Sequence, residues 1–381
     1  MNWIKKFFKI EERKSSIGIE LLGGLVTFLA MVYILPVNAG MLSLTGMSFG
    51  GVFAATAIAA AFATILMGVI GKVPIALASG MGVNAFFTYT VVFQLGLSWQ
   101  SALAAVFVSG ILFVIISLTG LRQLVINAIP KSLKLAIGAG IGFFIAFIGF
   151  KNAGIIIADP ATFVRLGDFA NPTVLLGLFG VLLILVLFAL NNKISKFAII
   201  IAILGTGLLG VLLGAIFPGL TAAMPSFGGT NLGNISDIGG LFGQAIVAIP
   251  DLFAHPLALS VIFTFLFIDF FDTAGTLVAV GNEAGLLDDE GQLVGGNQAL
   301  LADAVGTVVG AVVGTSTVTS YIESTTGIKS GARTGLASVF TGVLFLVALL
   351  FFPLFSIVGG IASGNVDVYG DPIFYSPVTA M

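Results

Sequence analysis

Cysteine is absent and charge is scarce. Without Cys, disulfides, thiolate metal sites and thiol catalysis are all excluded. The single His, His255, cannot build a metal centre alone, and no metal or organic cofactor is expected. Only 8% of the 381 residues are charged, against about 25% in soluble globular chains. A water-soluble fold would lack material for its surface. Net charge is −2 and no basic run follows the N-terminus, so no nucleic-acid partner is expected. What fills the chain is apolar: 58% of residues are hydrophobic, Gly occurs 50 times, and mean hydropathy is +1.16. Gly is frequent in transmembrane helices because it lets backbones approach closely. The partner these numbers imply is a lipid bilayer.

Apolar stretches long enough to cross a bilayer, roughly 20 residues, recur near 17–39, 51–71, 74–95, 101–120, 133–150, 173–191, 197–217, 257–281, 298–314, 315–328 and 334–358. The tenth is short and polar. Residues 1–16 interleave Trp3, Ile4, Phe7, Phe8 and Ile10 with Lys5, Lys6 and Lys9, the pattern of a short interfacial helix or a basic flank. Counting spans from a cytoplasmic N-terminus puts all of the 15 basic residues except Lys151 and Arg165 in inside segments. That satisfies the positive-inside rule and predicts a multi-pass cell-membrane protein. Segment 219–256 carries no Lys or Arg and falls outside, where a linker between two halves would lie.

Two segments read as broken. The third, VPIALASGMGVNAFFTYTVVF, is rich in Pro, Ala, Ser and Gly before Asn84, whose side chain could cap a helix start. The tenth, GTSTVTSYIESTTGIKSG, is β-branched and hydroxyl-rich from Thr315 to Tyr321, more strand than helix. Glu323 or Ser324 could then open a short helix. Irregular backbone at membrane depth is tolerated only where it is buried or lines a cavity. Two such segments in corresponding positions of two halves point to a transporter's binding site. Asn84 lies 66 residues after Gly18, and Glu323 lies 66 after Leu257, which fits a repeat of about seven spans. The competing structural reading is an ordinary helix packing through small residues. The Gly80-Met81-Gly82 spacing opens no βαβ unit and implies no nucleotide loop.

Four acids fall inside predicted spans: Asp269, Asp272, Asp303 and Glu323. A charge at mid-membrane costs about 2.5–3.5 kcal/mol on insertion scales, and no mid-span Lys or Arg offsets it. Asp269 and Asp272 are three apart and share a helix face. Small and hydroxyl residues from Thr273 to Thr276 follow Asp272, giving a lining that a polar ligand could approach. Phenylalanines flank Asp269, which predicts a partner on another helix. Both acids have a structural alternative, hydrogen bonding to Ser, Thr or broken backbone. Asp303 reads as a helix-start acid favoured by the macrodipole. Phe86 and Phe87, near Asn84, could stack on a planar ligand or pack in the core.

GMGVNAFF, DFFDTAGTL and TSTVTSYIESTTGI together resemble the AzgA-like purine permeases, a branch of the nucleobase–cation symporter family. The resemblance runs from about residue 16 to the end. It implies an all-α polytopic membrane protein of two inverted seven-span repeats, with core and gate domains and a short strand in each of spans 3 and 10. The implied layout is residues 17–218 as the first repeat (spans 1–7), 219–256 as an extracellular linker, and 257–381 as an incomplete second repeat (spans 8–11), after a cytoplasmic interfacial segment at 1–16. Family members run on for several more spans, so the chain, with about 11, is expected to be truncated at its C-terminus. The implied activity is proton-coupled uptake of hypoxanthine, guanine or adenine. Carried over by position, the binding carboxylates fall on Asp272 and Glu323 and the third-span polar residue on Asn84. Phe87, Thr319 and Ser324 complete the expected substrate contacts, and Asp272, Glu323 or Asp269 would carry the proton. A homodimer is left open. Two rivals remain: the same fold moving another solute such as an anion, and a channel or intramembrane enzyme. An enzyme could use only Asp269 and Asp272, which sit on one helix where a carboxylate dyad draws on two elements, so none is expected.

Overall fold

The computed structural model describes residues 2–119, 139–140, 142–143, 146–151, 153–190, 194, 198–217, 232–287, 293–352, 361–366 and 372–375. Half of the expected span at 133–150 lies outside them. Six helices among the described residues are long and apolar enough to cross a membrane: 17–43, 49–71, 99–118, 172–189, 258–284 and 296–313. The chain is therefore a helical, multi-pass membrane protein. Two compact units partition it, one of residues 1–139 and 233–350, the other of 140–232 and 351–381.

The first unit opens with α1 (Asn2–Phe7) and α2 (Ile17–Met31), which Ser16 caps by accepting the Ile19 N–H. Its span breaks at Val32–Tyr33 and resumes as α3 (Ile34–Ser43). Pro36 stands in the first turn of α3, where a missing N–H costs nothing. Next come α4 (Phe49–Leu66), capped by Ser48, and a wider turn to Gly71. Strand β1 (Leu77–Ser79), short helix α5 (Met81–Ala85) and α6 (Trp99–Leu118), capped by Ser98, follow.

In the second unit, α7 (Pro172–Ala189) starts on an Asn171 cap with Pro at its first position, and it packs on α8 (Ala198–Ile216) through Ile184, Leu187, Ala198 and Ala202. A hairpin, β2 (Ile156–Asp159) with β3 (Phe163–Leu166), precedes them. At its turn the Asp159 carboxylate accepts the N–H groups of Ala161 and Thr162, both at 2.9 Å. These bonds hold its carboxyl below the usual range.

The chain re-enters the first unit with α9 (Gln244–Val247) and α10 (Ile249–Ala254), then α11 (Ala258–Ala284). Gly285, at φ +66°, ends α11 in the left-handed region. The rest of the unit is α12 (Gly296–Val313), stopped by Gly314 at φ +103°, then strand β4 (Val318–Ser320), α13 (Ser324–Lys329) and α14 (Gly335–Ala348). In the second unit β5 (Ile361–Val366) pairs antiparallel with β6 (Pro372–Tyr375).

The core of the first unit runs between α4, α6, α11 and α12 and includes Ala59, Ala63, Phe113, Leu266, Phe270, Ala302 and Val318. Its helices touch backbone to backbone where glycines allow. A Cβ on Gly335 would collide with the Gly68 carbonyl, and one on Gly68 with the Gly335 carbonyl. The N-terminal segment is anchored by Arg13, whose guanidinium donates to the carbonyls of Lys72 at 2.6 Å and Arg333 at 2.8 Å. Burial lowers the pKa of Arg13, and Glu20 and Glu12 act against that. Glu20 is fully buried. It accepts from Ser15 Oγ at 2.5 Å and from the N–H groups of Arg333 and Thr334 at 3.0 and 3.1 Å.

Candidate functional site

Both expected breaks are present, and they meet. β1 pairs antiparallel with β4, Leu77 opposite Ser320, Ala78 opposite Thr319 and Ser79 opposite Val318. The pairing extends on either side, with Gly80 N–H donating to Thr317 O at 3.1 Å and Tyr321 N–H to Ala76 O at 3.0 Å. Every backbone group here needs a partner, because no bulk water reaches membrane depth. Hydroxyls supply the remainder. The Ala76 N–H donates to Ser324 Oγ at 3.0 Å. Tyr321 OH donates to Ser79 O at 2.5 Å, and Ser338 Oγ lies 2.8 and 2.9 Å from the carbonyls of Val73 and Ile75.

A half-helix leaves each strand. α13 begins at Ser324 with Glu323 at its cap position, as the sequence suggests. α5 begins at Met81 on Gly80, which corrects the expected start at Asn84. The Asn84 N–H already donates to Gly80 O at 2.8 Å, so Asn84 sits one turn inside the helix and cannot cap it. Its side chain is buried and accepts from Ser79 Oγ at 3.0 Å. Its Nδ2 has no partner among the described residues, leaving a buried donor beside the strand end.

Asp272 and Glu323 come together at the junction of β4 and α13. Asp272 accepts from the Thr319 hydroxyl and lies within the field of Glu323. Glu323 accepts from Tyr33 OH at 2.7 Å. Both carboxylates are half-buried, so a ligand could still reach them. Asp269 and Asp303 lie deeper, at 1% and 0% exposure. Asp303 Oδ2 accepts from Thr273 Oγ1 and Oδ1 from Ser320 Oγ, both at 2.9 Å. That overturns its reading as a helix-start acid: α12 begins at Gly296, so Asp303 is two turns in and faces α11 and β4. Asp269 has its partner on another helix, as expected, with Thr307 Oγ1 2.9 Å from its Oδ2. None of the ion pairs among the described residues involves these four carboxylates, and no cluster there could hold a metal ion.

Of the other expected contacts, Thr319 reaches Asp272, whereas the Ser324 hydroxyl is turned to backbone. Phe87 is fully buried, its ring centroid 6.3 Å from that of Phe265. Phe86 is half-buried and meets Phe265 edge-on at 5.0 Å. Sequence reasoning missed Tyr33 and Glu20. Pro36, just past Tyr33, was the available sign that the first span is itself interrupted. It also missed a buried trio in which Asn38 Nδ2 donates to Thr56 Oγ1 at 2.7 Å and Thr315 Oγ1 at 2.8 Å.

Comparison with known proteins identifies the family. Residues 18–369 match the model of the Permease family, Xan_ur_permease. The guanine/hypoxanthine permease PbuG of Bacillus subtilis (strain 168) is 47% identical over 364 residues, 93% of this chain and 80% of its own. The adenine permease AdeP of Escherichia coli (strain K12) is 38% identical over 367 residues, 96% of this chain and 79% of its own. Among solved structures, the transmembrane domain of the cyanobacterial bicarbonate transporter BicA is similar at TM-score 0.62 and 15% identity, covering 95% of this chain and 85% of that one. The murine anion transporter Solute Carrier 26 family member A9, in its inward-facing state, follows at TM-score 0.58 and 12% identity, covering 96% and 59%. Identities this low establish a shared fold alone. The family model and the permease relatives agree across most of the chain: it belongs to the Permease family.

Proposed function

We propose that the chain carries purine nucleobases across the cell membrane by proton-coupled secondary transport. The supporting observation is that Asp272 and Glu323, two half-buried carboxylates outside every ion pair among the described residues, lie within one another's field where two membrane segments stop being helical. A carboxylate accepts hydrogen bonds from a ring N–H or an exocyclic amine, the groups a purine edge offers. Relatives named for guanine, hypoxanthine and adenine favour the same cargo. In this reading α5 and α13 aim their first N–H groups at ring nitrogen or carbonyl oxygen, the N-terminus is cytoplasmic, and the roughly 11 spans of this chain belong to a fold of two inverted seven-span repeats. A carboxylate of the Asp269, Asp272 and Glu323 group takes up the coupling proton, and the core then moves against the gate. A homodimer is compatible with this arrangement.

The fold likeness to a bicarbonate transporter raises a second reading, an anion as cargo. Two acids at the site oppose it, since anion sites favour Arg, Lys or bare helix N-termini. Uptake of radiolabelled hypoxanthine, guanine and adenine, with bicarbonate as the anion control, decides between the readings. Glu323→Gln and Asp272→Asn are each expected to cut purine uptake at least about tenfold, the equivalent of about 1.4 kcal/mol. Undiminished, pH-independent uptake in both variants would remove the two carboxylates from the mechanism.

A further inference from the structure

The outward edges of the two central strands are each served by one threonine. On β1, Thr64 Oγ1 donates to Leu77 O and accepts the Leu77 N–H, both at 2.9 Å. On β4, Thr307 Oγ1 lies 3.0 Å from Val318 O and accepts the Val318 N–H at 3.1 Å. The arrangements match, and in the first the single hydroxyl proton is used by the carbonyl. Thr307 has a third neighbour that Thr64 lacks, Asp269 Oδ2 at 2.9 Å. One hydroxyl proton cannot serve both the Val318 carbonyl and a carboxylate. All three contacts are satisfied together only when the Asp269 oxygen brings a proton of its own and donates it to Thr307.

We propose that Asp269 holds a proton in this conformation and that Thr307 couples that proton to strand β4. The inference rests on the proton-coupled reading above and assigns its proton to one carboxyl. The other Asp269 oxygen, Oδ1, is buried without a partner among the described residues, which is tolerable for a neutral carbonyl and costly for a carboxylate. Asp303 is its opposite, with a hydroxyl donor on each oxygen, so the pair holds its negative charge on Asp303 and its proton on Asp269. The charges whose fields reach Asp269 are Asp303 on α12 and Asp272 on its own helix. Glu323 acts on Asp272. Of the other elements packed on α11, α6 presents no titratable residue, α10 carries Asp251 near the helix start, and Lys329 of α13 pairs with Glu283 near the helix end, at 4.0 Å.

When Asp269 loses its proton to water, its carboxylate draws the Thr307 hydroxyl proton, and the Val318 carbonyl is left without a donor. β4 is thereby loosened at the strand that carries Thr319 to Asp272 and Ser320 to Asp303. Proton release and the geometry of the candidate site become one event.

Infrared spectroscopy of the purified protein with isotope-labelled Asp tests the proton directly and needs no variant. A protonated-Asp carboxyl band is expected at neutral pH, and its absence overturns the proposal. In proteoliposomes, one coupled proton drives about tenfold accumulation per pH unit of gradient. Asp269→Asn keeps a donor toward Thr307 and is expected to exchange labelled for unlabelled hypoxanthine while losing that accumulation and the infrared band. Thr64→Val should lower stability and leave the pH profile of uptake in place, whereas Thr307→Val should shift the profile and Thr307→Ser restore it. Wild-type accumulation in Asp269→Asn, or identical pH profiles for the two valine variants, overturns the coupling. If the wild-type protein neither binds nor exchanges a purine, the transport reading falls and the infrared band still decides where the proton sits.

Discussion

At the scale of single residues, the bond from Tyr33 to Glu323 joins the first interrupted span to the last at 2.7 Å. The phenol fixes one carboxylate oxygen as an acceptor, and the residue's own backbone N–H also donates to the carboxylate. A hydrogen bond to a charged group contributes about 1.5–3 kcal/mol, so Tyr33→Phe should weaken hypoxanthine binding about tenfold or more, read as a rise in the Kd from thermal-shift or radioligand titration. Glu323→Gln combined with Tyr33→Phe should cost less than the sum, since the two act through one contact. The acids Asp272 and Glu323 were legible in the sequence because a carboxylate in an apolar run is itself a signal. Asp303 was legible as a residue and misread in role, because its donors Thr273 and Ser320 lie 30 and 17 positions away. Glu20 was hidden by its place near a helix start. It serves the N–H groups of Arg333 and Thr334, more than 300 residues on, and no local pattern encodes that.

At the scale of elements, the broken segments could be read from composition. Pro, Gly and β-branched runs disfavour helix, and β1 and β4 lie where those runs are. The start of α5 could not be read the same way, because Gly80 gives its own N–H to the opposite strand, and helix initiation there is a tertiary event. Helix contacts were only partly legible. An abundance of Gly predicts close approach, but not that Gly68, in the wider turn after α4, and Gly335 of α14 approach backbone to backbone. Gly335→Ala must push those helices apart. Overpacking of this kind costs about 1–3 kcal/mol, and a lowered Tm with purine affinity preserved is the expected result. Gly40→Ala, where a Cβ meets nothing within 4 Å, is the matched control.

At the scale of the whole molecule, repeated apolar runs made the multi-pass class plain, and six described helices can span a membrane. The N-terminal segment held a role its composition did not announce. Its basic and aromatic residues suggested a membrane-surface helix, while Arg13 reaches past them to two carbonyls, one just before the first broken segment and one just after the second. Arg13→Ala would leave the Lys72 and Arg333 carbonyls without that donor. A loss of about 2 kcal/mol or more is expected from a charged hydrogen bond, measured as a lower Tm, with Arg13→Lys restoring only part of it because one ammonium lacks the planar fork.

The strand pair has a further consequence for how the protein is made. Tyr321 and the Ser79 carbonyl it serves are 242 residues apart, and β1 finds its partner only when β4 is delivered. On a ribosome the early half reaches the membrane first, carrying a stretch that cannot satisfy its own backbone. Until residues beyond 318 emerge, that stretch must borrow water or a chaperone's polar groups. Assembly of the candidate site thus waits on synthesis of β4, and quality control has a long window in which to recognise a chain whose first broken segment is still unpaired.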